Sequence, residues 1–175
     1  MKTHTTRSKN KKKHYHIRNW KQSNQALVER GSLTFWINKD ALETWVSKER
    51  TGKRGKPIVY SGAAIQTILT LQSLFRLLLW QTEGLLNSIF RLSDIMLCSP
   101  DYSTSSKRGE TLSVDLARRS QERSLAETGV FRFKTIFVDR VSARKFAGQV
   151  TRLLIRCRAL NQMLDLGMPD SYIVA

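Results

Sequence analysis

The sequence predicts a mainly α protein that starts with a basic arm. Residues 62–92 and 146–164 each carry apolar side chains at three- and four-residue steps, which is the spacing of one helix face. Residues 1–28 hold eight basic side chains and no acid, a composition with too little apolar surface to offset the entropy of ordering. These features divide the chain into a mobile arm at 1–15, a helical region at 16–116 and a C-terminal segment at 117–175. The whole has 175 residues, the size of one domain or of two very small ones. A hydrophobic share of 41% excludes wholesale disorder, and only three Pro and nine Gly exclude a collagen-like or linker-dominated chain.

Charge is the unusual property. Thirty Lys and Arg stand against fourteen Asp and Glu, a net charge of +16. Such a surface calls for a polyanion or an anionic membrane, because its own repulsion works against compaction. Residues 61–106 hold only two basic groups, Arg76 and Arg91, against three acids, whereas 107–175 hold thirteen basic groups against seven acids. The apolar middle is therefore flanked by basic surface. In the arm, Lys9, Lys11, Lys12 and Lys13 are candidate phosphate contacts, gaining affinity through counterion release without reading base sequence.

Along the chain, residues 19–30 read as a short helix with Trp20, Leu27 and Val28 inward. Leu33, Phe35, Trp36, Ile37, Leu42, Trp45 and Val46 follow and read as packing residues. The glycine-containing basic run at 48–57 reads as a surface loop. Ser61 is a good N-cap for a helix from Gly62 to about Leu78, and Gln81 to Leu92 forms a second. The turn residues from Asp101 lead into a third, short, basic helix. Helix, helix, turn, basic helix is a helix-turn-helix-like order, whose last helix enters the major groove. Ser103, Thr104, Lys107 and Arg108 are its candidate DNA contacts. Further on, 124–133 can be helical and 134–138 is β-like. The tail is the clearest helix: Phe146, Val150, Leu153, Leu154, Cys157, Leu160, Met163 and Leu164 trace one stripe, and Gly167 and Pro169 stop it. Arg144, Lys145, Arg152, Arg156 and Arg158 lie off that stripe, as a phosphate-binding or simply solvated face.

Several function classes are absent from the pattern. No apolar run reaches the roughly 18–20 residues of a membrane helix, and the polar, basic start is no secretory signal; the expected place is the cytoplasm. Cys98 and Cys157 sit in apolar surroundings, away from any metal-ligand spacing, and read as buried small hydrophobes. All three histidines, His4, His14 and His16, fall in the arm, where no general base could be held in place.

Asn19-Trp20, 26–36, 81–85 and 100–104, followed by 124–128, 131–134, 159–161, Met163 and 166–172, resemble DDE-class bacterial insertion-sequence transposases of the subgroup with a Tyr-Arg-Glu-Lys signature. Arg123, Glu127 and Lys134 hold the spacings of that signature; Ser120 stands at its Tyr position. In the family the Glu is the third acidic Mg²⁺ ligand of an RNase H-like domain, and the basic residues contact DNA. The resemblance thus makes Glu127 the one remaining metal ligand of an incomplete site, with Arg123 and Lys134 beside it. Family members place two catalytic aspartates, on strands of a central sheet, upstream of this block. Here only a few residues separate Leu116 from Arg123, as if that sheet had been deleted in frame, and Asp115 belongs to the segment before the first catalytic strand. The family's Leu after the Ser-Thr pair is Ser105.

The resemblance implies a nucleoid-associated, internally deleted transposase that binds terminal inverted repeats without cutting them. Residues 16–116 would then be its DNA-binding region and 117–175 the helices left from the catalytic domain. Self-association or an intact transposase would supply further contacts. The other reading is a general basic RNA- or nucleic-acid-binding protein without catalytic ancestry. Removing residues 1–13 deletes Lys2, Arg7, Lys9, Lys11, Lys12 and Lys13. In a salt titration of DNA binding, affinity should fall and the log–log slope should shrink by about 0.9 for each phosphate no longer neutralised.

Overall fold

A computed structural model describes residues 14–37, 39–47, 59–116, 131–137, 141 and 143–174. The chain is mainly helical. A short strand, β1 (His14–Ile17), precedes three short helices, α1 (Trp20–Glu29), α2 (Leu33–Trp36) and α3 (Lys39–Glu43). Helices α4 (Gly62–Phe75), α5 (Leu79–Leu92) and α6 (Tyr102–Gly109) follow, then a helical stretch α7 at 131–137, the long α8 (Phe146–Asp165) and β2 (Ser171–Val174).

Helix α4 is the centre. Ser61 caps it as expected, its Oγ accepting from the Ala64 N–H at 3.1 Å. From Thr67 to Ser73 every side chain is buried, including the polar Thr67, Thr70, Gln72 and Ser73, so the helix is enclosed all round rather than on one broad face. Helices α2, α3, α5, α6 and α8 all pack on it. One side joins Trp36, Trp45, Leu86, Phe90, Phe137 and Met163 around Ala64 and Leu71; the other sets Ile65, Ile68 and Leu69 against Ile155 of α8. Trp45 meets Phe90 edge-on at 5.2 Å, and its indole N–H donates to the Cys98 carbonyl at 2.8 Å. The α4 C-terminus turns on Arg76 at φ +55°, and the Arg76 guanidinium donates to the Thr135 and Ile136 carbonyls near the end of α7.

The two ends of the chain meet. β1 and β2 pair antiparallel, His14 opposite Val174 and Ile17 opposite Ser171. Asn19 fastens the junction by donating to the Met168 carbonyl at 2.8 Å and accepting from the Asp170 N–H at 2.7 Å. Arg30 adds bonds to the Met163 and Gly167 carbonyls, both at 3.3 Å. Gly167, at φ +141°, makes the turn out of α8 in a region that side chains with a Cβ rarely enter.

Several expectations are corrected. The strand begins at His14, inside the segment read as an arm, so His14 and His16 are β residues; residues 1–13 lie outside the described ones. On α1, Trp20, Leu27 and Val28 point to solvent and Ala26 is the buried residue. A ten-residue helix leaning on the chain ends by one side needs only a small contact residue there. Residues 134–137 are helical rather than β-like, because they continue α7, whose carbonyls Arg76 caps. Cys98 is exposed and Cys157 half-buried, each a free thiol.

The largest correction concerns α8. Phe146 is 79% exposed, and Val150 and Leu153 also face solvent, whereas Arg152 and Arg156 are buried. The helix is rotated so that Gly148 lies against Ala143 and Glu110, and Ile155 faces α4. The rotation is compensated by bonding: Arg152 donates to the Gln72 side-chain carbonyl, and the Arg156 guanidinium lies 5.9 Å from the Phe137 ring centroid. Periodicity registers which residues are apolar; it cannot register that Gln72, one polar group inside α4, draws an arginine inward.

No single described helix is long and apolar enough to cross a membrane; α4 and α5 reach that length and composition only together, and they are bent 108° apart.

Ser105 is fully buried, and its hydroxyl has no hydrogen-bond partner among the described residues. This is the position where the resembling family has Leu. Ser105→Ala should raise stability by about 1 kcal/mol, by removing an unsatisfied buried polar group. Urea unfolding should show a higher midpoint at unchanged slope.

Candidate nucleic-acid interface

The expected DNA-contacting helix is α6, and the segment before it holds it rigidly in place. The Tyr60 hydroxyl donates to the Ser99 carbonyl at 3.1 Å, and the Ser99 N–H donates to the Asn87 side chain at 2.8 Å. Burial, followed by the charges of Cys98, Glu83 and Asp101, raises the Tyr60 phenol above its ordinary range, so it stays a neutral donor. The Tyr102 N–H donates to the Glu83 carboxylate at 3.0 Å. Asp101 then caps α6, accepting from the Ser103 and Thr104 N–H groups at 2.8 and 3.3 Å and from the Ser103 hydroxyl.

The faces of α6 follow from its contact with α4. Ser105 and Gly109 point inward, and a Cβ on Gly109 would come within 3.1 Å of Leu69. Tyr102, Ser103, Ser106 and Lys107 are exposed; Thr104 and Arg108 are half-buried. The four candidate DNA contacts therefore differ in what they do. Ser103 uses its hydroxyl in the cap, and Arg108 donates to the Tyr60 carbonyl, tying α6 to the start of α4. Lys107 stands outward in the last turn. Ser106, which sequence reasoning passed over, is exposed beside it.

The helix-turn-helix-like order is present, but its tight corner lies one helix earlier than expected. α4 and α5 meet at 108° across the three residues 76–78, while residues 93–101 separate α5 from α6. A helix-turn-helix joins its helices at about 90–120° through 3–4 residues. α5 carries Arg91 and Glu83 as its charged side chains, so the cationic helix is still α6.

The signature residues are separated by what the structure describes. Lys134 is exposed on α7, whereas Ser120, Arg123 and Glu127 lie outside the described residues, as do Lys9, Lys11, Lys12 and Lys13. Among the described residues no group of three or more His, Cys, Asp or Glu side chains is placed to hold a metal ion. Three of the described carboxylates serve as caps and ties: Asp101 on α6, Glu83 on the Tyr102 N–H, and Glu110 on Lys145 at 2.9 Å.

Lys107 and Arg108 should therefore respond differently to substitution. Lys107→Ala should weaken DNA binding in a fluorescence-anisotropy titration and leave the unfolding midpoint unchanged. Arg108→Met should instead lower stability by about 1.5–3 kcal/mol, the range for a hydrogen bond to a charged group, read in urea unfolding.

Comparison with known proteins places the chain. A family model described as "Transposase DDE domain" matches residues 28–130. No solved structure matches the chain. The family match covers more than half of the 175 residues, from the last two residues of α1 through α6 and across the boundary drawn at 116. The chain belongs to the DDE transposase-domain family.

Proposed function

We propose that this chain is an internally deleted transposase derivative that binds the terminal inverted repeats of an insertion sequence and does not cut them. The observation that carries the reading is the direct packing of α8 on α4 and α6. In the resembling transposases a central sheet holds two catalytic aspartates ahead of the signature Glu. Here the C-terminal helix rests on the N-terminal helices themselves, and the one sheet among the described residues is the two-stranded pairing of the chain ends.

The chemistry makes the loss decisive. Two-metal phosphoryl transfer needs carboxylates from separate elements that hold two ions about 3.5–4 Å apart. Glu127 alone leaves most positions of a hard divalent cation unfilled, so Mg²⁺ is not productively held on this reading. The net charge of +16 and the outward Lys107 support binding to the duplex backbone. Phe146, Val150 and Leu153, left outward on α8, support self-association or pairing with an intact transposase.

At one fixed salt concentration the protein should prefer inverted-repeat duplex over random duplex and over structured RNA. Equal affinity for structured RNA would favour a general nucleic-acid-binding role. With Mg²⁺ or Mn²⁺ and end-containing DNA, no nicking or strand transfer is expected on a denaturing gel. Cleavage that disappears in Glu127→Ala would overturn the proposal.

A further inference from the structure

The first turn of α8 forms one wall of a cavity of about 360 Å³ that also reaches α4, α5 and α6. That volume lies within the range of small-molecule sites, about 300–1,000 Å³. Its polar wall carries three cations, Arg144, Lys145 and Arg152, against one acid, Glu110. Arg144 and Lys145 are exposed at the rim, and Arg152 is 6% exposed. Leu69, Leu78 and Leu79 supply apolar lining.

Arg152 is the unusual member. Buried charges are ordinarily paired with an opposite charge. Its bonded partner among the described residues is the neutral Gln72 amide, and the charge that acts on it is the like charge of Arg156, one turn along α8. Burial and that neighbour both lower the Arg152 pKa, which is the direction expected of a cation lacking a counter-ion. A guanidinium nonetheless stays protonated at neutral pH. Glu110 does not supply the missing charge, because its carboxylate already takes Lys145 at 2.9 Å.

The backbone adds to the same wall. Lys145 precedes α8 as its N-cap residue and makes no side-chain cap bond, and the first turn of the helix has no acidic residue. The Gln149 N–H bonds the Lys145 carbonyl, so the N–H groups of the residues between them are the donors a helix start leaves over. Lys145 and Gly148 of this turn both line the cavity. A 20-residue helix directs its positive end to this point.

We infer that the cavity between α8, α4 and α6 binds a phosphate group, with Arg152 at its floor, Arg144 and Lys145 at its rim, and the leucine lining against the body that carries the phosphate. A tetrahedral oxyanion suits a forked guanidinium combined with backbone N–H groups. Two sources share that chemistry: a small phosphorylated compound and the terminal phosphate of a nucleic-acid strand. The inference stands apart from inverted-repeat recognition, because inorganic phosphate by itself probes the pocket.

The test uses the full chain and follows thermal unfolding in inorganic phosphate against chloride at equal ionic strength. Phosphate should raise Tm in a saturable way that chloride does not reproduce. The apparent phosphate affinity should fall about tenfold in Arg144→Ala, by removal of one charge-assisted bond at an exposed position that tolerates change. Arg152→Gln should abolish the shift. Glu110→Gln should strengthen binding, since it removes the one acid and releases Lys145. Equal Tm in phosphate and chloride would overturn the inference. So would a phosphate shift that Arg144→Ala and Glu110→Gln both leave unchanged, which holds even if Arg152→Gln does not fold. Displacement of bound phosphate by a 5′-phosphorylated oligonucleotide, beyond that by its 5′-hydroxyl counterpart, upholds the pocket and assigns it to strand ends. Displacement by neither oligonucleotide, with inorganic phosphate still bound, upholds it for small phosphorylated compounds.

Discussion

The contact between α4 and α8 organises the rest of the molecule. α4 supplies both hydrophobic clusters, and α8 contributes to each: Ile155 to one, and Ala159, Leu160 and Met163 to the other. The two helices are also joined by the buried bond from Arg152 to Gln72. A neutral amide facing a guanidinium inside a core is a specific pairing, because either group left alone would cost the desolvation of a buried polar atom. That pairing and the apolar contacts of Ile155, Ala159, Leu160 and Met163 go with one rotation of α8, in which Gly148 and Arg152 line the cavity and Phe146, Val150 and Leu153 face water.

The same contact bears on function. In a two-metal phosphoryl-transfer site, acids from separate strands must converge. Here α8 packs on α4 and α6, and among the described carboxylates Asp101 caps α6 and Glu110 pairs with Lys145. The protein keeps a family resemblance strong enough for residues 28–130 to match a transposase DDE domain. Its positive surface is what a nucleic-acid partner would meet. The polar roles are divided residue by residue, with Arg108 and Ser103 holding α6 in place and Lys107 available at its surface.

The outward apolar residues of α8 show how rotation redistributes surface. Phe146, Val150 and Leu153 lie on the turn side away from Gly148 and Arg152. Burying such side chains yields about 1.5–3 kcal/mol each, a gain that this rotation forgoes for these three residues. Arg76 has a quieter role. At positive φ, without being Gly or Asn, it ends α4 and caps the carbonyls of α7. That is a local backbone cost offset by two long-range bonds.

Local chemistry was legible in the sequence. Ser61 announces the start of α4, Asp101 the turn into α6, and Gly167 with Pro169 the end of α8, because caps and turns depend on neighbouring residues alone. The mainly helical class and the family also follow from spacing and residue blocks that survive without any knowledge of packing. The outward faces of α1 and α8, the pairing of β1 with β2 and the burial of Arg152 were not legible. Each depends on a partner far along the chain: Ser171–Val174 for β1, and Gln72 for Arg152. An apolar stripe fixes which residues favour burial; the tertiary structure decides which of them find a neighbour, because the face of α8 that meets α4 seats Ile155, Ala159, Leu160 and Met163 and leaves Phe146, Val150 and Leu153 outside.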